Sequence, residues 1–101
     1  MLVALTVRRL KPGTYEEFRK AWQPETPPPE GWVRVYHVRN TADEDEVISF
    51  GFFDGTMEEL RASQGDEDYE ALRRRTAAFE ESIGADGVYE VLEELTPPDW
   101  R

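Results

Sequence analysis

One histidine occurs in the chain, His37. Its unperturbed pKa lies near neutrality, so it could serve as a general acid or base if a substrate came within hydrogen-bond reach. It stands in the run Trp32-Val33-Arg34-Val35-Tyr36-His37, which alternates aromatic or charged groups with valines. Guanidinium groups at Arg8 and Arg34 suit a carboxylate, a phenolate or a similar anion. Aromatic walls with a few convergent polar groups are how small-molecule sites are built. Arg8, Trp32, Arg34, Tyr36, His37 and Ser49 are therefore the candidate lining of a ligand site, with no catalytic role assigned to any of them. Each has a competing reading. His37 also fits a hydrogen-bonded histidine within a sheet, and the arginines fit ion pairs at a subunit interface.

Other chemistries are excluded by composition. There is no cysteine, so disulfides, thiolate nucleophiles and cysteine-based metal centres are out. One histidine without carboxylates at supporting spacing does not make a zinc site, so no metal and no cofactor is expected. The run Asp43–Glu46 lacks the glycine and spaced ligands of a calcium loop and reads as a hydrated hairpin tip. No phosphate loop, serine nucleophile elbow or dinucleotide fingerprint occurs. The net charge is −10, and the one basic run, Arg73–Arg75, is flanked by acids and reads as a solvated helix face. Nucleic acid and anionic membrane surfaces are thus poor partners. No apolar stretch approaches the ~18 residues of a membrane span. The opening residues read as a strand rather than a signal peptide, and a cytoplasmic protein is expected.

The elements that must position these residues follow from periodicity. Residues 2–10 alternate as a strand and stop at Lys11-Pro12-Gly13. Thr14 and Glu17 have capping-box spacing before a helix with Tyr15, Phe18 and Trp22 on one stripe. Pro24 ends it, and 24–30 form a stiff proline-rich connector. Residues 32–39 and 47–53 are strands joined through a polar turn at 40–45. Thr56 and Glu59 repeat the capping box and open a short helix with Met57 and Leu60, which Gly65 interrupts. Tyr69, Leu72, Thr76, Phe79 and Ile83 then mark a longer helix capped by Gly84. Residues 87–95 complete a fourth strand, and the proline-containing tail follows.

The order β-α-β-β-α-β, the first strand ending in Lys-Pro-Gly, the Val47–Phe53 strand ending in Asp-Gly and the closing Gly-Val-Tyr-Glu-Val carry a resemblance. Over residues 2–95 the chain resembles the dimeric α+β barrel superfamily, and within it the small antibiotic-biosynthesis-monooxygenase-like proteins. The resemblance implies cofactor-free oxygenation of polycyclic phenols, haem degradation, lactone isomerisation or signalling. Oxygenases of that group commonly use an Asn and a Trp, and haem-degrading members add a His. Here Asn40 falls in a turn, His37 in a strand, and Trp22, Trp32 and Trp100 all outside the long helix, so no catalytic residue is carried over.

The expectation is one α+β domain over 1–101, ferredoxin-like βαββαβ. Its four-stranded antiparallel sheet has helices on one face, and the other face pairs with a second copy into a dimeric barrel. The function expected is handling of a planar aromatic or phenolic compound, as a cofactor-independent monooxygenase. The alternative is a non-enzymatic accessory or structural dimer. His37 and Arg34 are three apart on a strand, so they point to opposite faces. Arg34 is expected in the barrel interior and His37 against the helix layer.

Overall fold

Strand β1 (Leu2–Leu10) is apolar on both sides, which suits it to an interior position. It lies between β3 (Asp43–Phe53) and β4 (Glu80–Glu90), with β2 (Trp32–Asn40) outside β3, giving the order β2-β3-β1-β4. Every pairing is antiparallel. The computed structural model describes residues 1–23, 30–64 and 66–98, and of residues 66–69 only the backbone. The proline-rich connector, the break at Gly65 and Trp100 therefore lie outside the described residues.

Helix α1 (Tyr15–Trp22) buries Phe18 completely against Leu10 and Val47. Helix α2 (Met57–Gln64) buries Leu60 against Leu2 and Phe53. Helix α3 (Asp66–Ala77) buries Thr76 and packs beside α1. The sheet residues in these clusters, even-numbered on β1 and odd-numbered on β3, share one face, so all three helices cover that face. The arrangement is the expected ferredoxin-like α+β fold.

Arg75 reaches from α3 to the end of α1 and donates to the carbonyl oxygens of Ala21 and Gln23 at 3.0 and 3.2 Å. Those carbonyls have no partner inside the helix, so the guanidinium acts as a C-terminal cap. Arg73 pairs with Asp86 on β4. Of the basic run, Arg74 is the member that stays solvated, loosely paired with Glu70 at 3.9 Å.

The fourth strand and the long helix depart from the sequence expectation together. The helix ends at Ala77, and β4 begins at Glu80 rather than Gly87 and ends at Glu90 rather than Leu95. Phe79 stays in the core from a turn, while Ile83 and Gly84 lie within β4 instead of forming a stripe and a cap. The cause is tertiary pairing. Strand β1 needs a partner along its whole length, and its far end pairs with Glu80, Ser82 and Ile83. Lys11 N–H donating to the Phe79 carbonyl extends that ladder. These bonds outweigh a helical spacing that carries little propensity of its own.

The hairpin is tighter than expected. Asn40 pairs with Asp43, and the connection is Thr41-Ala42. The acidic run thus belongs to β3 rather than to a solvated tip. Asp43 is ion-paired with Arg9, which holds its carboxyl below the usual range. Two glycines allow close approaches. Gly31 has φ of 105° and lies over the Phe53 ring. A Cβ on Gly51 would stand 2.9 Å from the Trp32 indole.

Candidate functional site

Three of the candidate residues, Arg8, Ser49 and His37, sit on the helix-covered face. Arg8 is 4% exposed on β1 and anchored by Glu80 of β4, with Nε 3.2 Å from the carboxylate. Its Nη1 donates to Ser49 Oγ on β3 at 3.1 Å. Ser49 Oγ in turn lies 2.7 Å from His37 Nδ1 on β2. One polar chain, Glu80–Arg8–Ser49–His37, therefore crosses all four strands. Antiparallel register makes this possible, since it sets His37 opposite Ser49 and places Ser49 beside Thr6 and Arg8.

Helix α1 forms the roof. The imidazole packs edge-to-face with Trp22, ring centroids 4.5 Å apart, and with Phe18 at 5.8 Å. The Arg8 guanidinium lies 5.1 Å over the Phe18 ring, and Arg19 lies 5.7 Å over Trp22. Cations over aromatic faces are attracted by the ring quadrupole. Burial, with the positive charges of Arg19 and Arg8, pushes the His37 pKa down to about 4. The ring is neutral at pH 7 and a weak base there. Burial also lowers the Arg8 pKa, against the opposing pull of Glu80; the ion pair keeps it charged. His37 Nε2 is buried and has no hydrogen-bond partner among the described residues.

The six candidates thus separate into two groups and an outlier. Arg8, Ser49 and His37 form the buried chain. Arg34 and Tyr36 lie on the opposite, helix-free face, where Arg34 donates to the Tyr36 hydroxyl at 3.3 Å and Tyr36 stacks on Phe50. Trp32 packs on Phe53 at the other end of the helix side. Strict alternation would set Trp32, Arg34 and Tyr36 together. A register shift between Trp32 and Arg34 places an extra residue, Val33, in β2 and breaks that alternation. Arg8 and Ser49, expected to line one site with Arg34 and Tyr36, are instead turned toward the helices by the register of β1 and β3. Arg34 and His37 occupy opposite faces, as their spacing requires, so Arg34 cannot be the cation beside the imidazole. Arg8 takes that place.

Glu80, Phe18, Trp22 and Arg19 pack into the same cluster and were not among the sequence candidates. Glu80 was hidden inside the overextended helix. The signal for it was Arg8 itself, since a guanidinium inside a strand needs a carboxylate partner when buried. A shallow cavity of about 190 Å³ opens at the far end of α1, lined by residues including Tyr15, Glu16, Arg39 and Asp45. It includes none of the six candidates and is smaller than the ~300–1,000 Å³ usual for ligand sites. Among the described residues no group of three His, Asp or Glu side chains could hold a metal ion, and no helix is long and apolar enough to cross a membrane.

Known structures share the architecture. One named "Putative antibiotic biosynthesis monooxygenase from Nitrosomonas europaea" superposes with a TM-score of 0.72 at 17% identity, covering 92% of this chain and all of that one. The fold is that of the antibiotic-biosynthesis-monooxygenase-like α+β proteins. A similarly named protein from Chloroflexus aurantiacus gives a TM-score of 0.72 at 10% identity, covering 94% of this chain and 96% of its own. Another from Caulobacter crescentus gives 0.72 at 13%, covering 91% and 90%. The sequence itself matches no family model and no curated protein. At these identities the monooxygenase-like likeness is one of backbone.

Proposed function

We propose that the protein is a homodimer that handles a planar aromatic or phenolic compound on the helix side of its sheet, as a cofactor-independent monooxygenase. The observation that carries this reading is the Arg8–Ser49–His37 chain, roofed by Trp22 and Phe18. It joins cationic, hydrogen-bonding and aromatic groups in the layer between sheet and helices. The shared fold with proteins named for monooxygenase activity supports it. In the reaction envisaged, a ring methylene becomes a carbonyl. One atom of dioxygen enters the ring, the other leaves as water with the two hydrogens, and the substrate supplies the electrons.

The homodimer is supported by the helix-free face. Val3, Leu5, Val7, Ile48, Phe50 and Phe52 share it by register, and Tyr36 and Tyr89 remain 42% and 47% exposed there. A contiguous apolar patch of that extent is uncommon on a monomer. A second copy would cover it.

A thermal-shift screen of phenolic acids and quinones, followed by oxygen uptake without added metal or flavin, tests the reading. Stabilisation by a ring compound with oxygen consumption is the expected result. No stabilisation by any of them counts against it. One observation favours the non-enzymatic accessory dimer: Arg8 already has a buried partner in Glu80, so the chain of polar groups also fits a filled interior. Binding without oxygen uptake would favour that reading over an oxygenase.

A further inference from the structure

Strand β4 outruns its partner. Its ladder with β1 closes at the pair Leu2–Glu90, and Val91 N–H donates to the Met1 carbonyl at 3.0 Å. Beyond that bond no strand lies alongside among the described residues. Val91–Leu95 is exposed throughout, with Leu92 at 89% and Leu95 at 48%. Laid down as a strand, the segment keeps the alternation of β4, so Val91, Glu93 and Leu95 follow Tyr89 on the bare face. The opposite edge of the sheet has the complementary deficit. Outer strand β2 leaves a row of backbone groups open, on which a further strand can add. Its Val33, Val35 and Val38 are exposed. It carries Arg34 and Arg39 and no acid, in a chain of 22 Asp and Glu against 12 Lys and Arg. Arg39 lies over the Tyr15 ring at 5.0 Å. Arg34 has the Tyr36 hydroxyl but pairs with no carboxylate among the described residues.

We propose that residues 91–95 of one copy add as a strand to the outer edge of β2 in a second copy, with Glu93 meeting Arg34. This rests on the homodimer reading and adds where the two chains join. Within one chain β1 and β3 stand between β4 and β2, so the acceptor is the other copy's strand. Charge selects the edge. The segment 90–95 holds Glu90, Glu93 and Glu94 and no base, and the remaining open edge, β4, holds Glu80, Glu81, Asp86 and Glu90 and no base. An acidic segment is repelled there and attracted to β2. Arg34 stands beside Tyr36 and Phe52 on the face that a second copy removes from water, and a guanidinium taken out of water needs an anion. Glu93 shares the parity of that face, and Glu94 does not. A two-fold axis makes the contact twice, the segment of each copy on β2 of the other.

The test exchanges the charges between chains. Arg34→Glu and Glu93→Arg, both at exposed positions, each set like charges together twice in their own homodimer. Either variant alone should dimerise about tenfold or more weakly than wild type in sedimentation equilibrium. Mixed in equal amounts, the two should regain wild-type affinity. Each heterodimer then holds one native contact and one with its charges exchanged, and native mass spectrometry with one variant isotope-labelled counts it directly. Glu94→Arg mixed with Arg34→Glu should give no rescue, because residue 94 falls on the other face. A mixture of Arg34→Glu and Glu93→Arg no tighter than the separate variants overturns the inference and leaves the homodimer standing. So does wild-type affinity in either variant alone, or rescue by Glu94→Arg in place of Glu93→Arg. Recovery in the double variant Arg34→Glu/Glu93→Arg without recovery in the mixture puts the contact inside one chain and overturns it as well. A wild type that sediments as a single chain at micromolar concentration overturns both the inference and the homodimer.

Discussion

The two faces of the sheet come from the same four strands and hold opposite kinds of residue. The covered face buries a polar chain, Glu80–Arg8–Ser49–His37, beneath α1. The bare face presents valines, phenylalanines and tyrosines with no helix over them among the described residues. Polar groups removed from water must find partners within the chain, and here they do so strand by strand. Apolar groups left facing water must find theirs outside the chain. The covered face is therefore self-sufficient apart from one nitrogen, and the bare face is incomplete.

The difference can be broken most severely on the covered side. Phe18→Ala removes a fully buried ring shared by the core and the site, and should cost about 3–5 kcal/mol in denaturant unfolding. Arg8→Ala leaves Glu80 buried without its partner, a loss of about 3 kcal/mol or more. The double variant Arg8→Met/Glu80→Leu should recover most of that. A double variant as unstable as the single would show that the pair matters for something other than charge compensation.

On the bare face Phe50→Asp should leave the monomer fold within about 1 kcal/mol of wild type and abolish the dimer. Light scattering at micromolar concentration checks this, and a wild-type mass of one chain would remove the dimer altogether. His37 sharpens the comparison through pH. Its folded pKa, about 4, lies below the ordinary 6.5, so between those values the unfolded chain binds more protons. Stability from this group is complete above pH 6.5 and falls as pH drops toward 4. The difference in unfolding free energy between wild type and His37→Gln should therefore shift against the wild type over that window and stay level above it.

The smallest effect separates two helix starts with the same sequence spacing. Thr56 and Glu59 form the reciprocal capping box, at 3.1 and 3.2 Å. Thr14 makes no side-chain cap bond to its helix, and its hydroxyl donates to the Lys11 carbonyl. Thr56→Ala should cost about 1 kcal/mol through loss of the cap. Thr14→Ala should not show that loss, and equal effects in thermal unfolding would show that the observed bond is worth as much as a cap.

Those two threonines also show where sequence pattern suffices. The spacing identified both helix starts, because local periodicity sets elements. It did not distinguish a cap from a turn, because the Thr14 hydroxyl turned instead to the loop carbonyl that precedes its helix. The element order and the layer holding His37 were legible from alternation and parity. The end of α3 was not, since the pairing of β1 with residues 80–83 is a long-range matter that helical spacing cannot reveal. Of the site, Arg8, Ser49 and His37 were among the candidates. Their convergence depends on strand register, which the sequence leaves open until the sheet order is known. Trp32 was assigned to the wrong company because a bulge is invisible to a period of two.

That bulge bears on how the chain could vary in length. Val33 is 50% exposed and supernumerary in the ladder: Trp32 faces Phe53, and Arg34 faces the adjacent Phe52. Removing a residue from a paired strand ordinarily turns every later side chain over. Removing Val33 would leave Trp32 and Arg34 consecutive and opposite the partners they already have. Deletion of Val33 should therefore leave both surfaces of the sheet in place, where deletion of a neighbouring strand residue would turn one of them over.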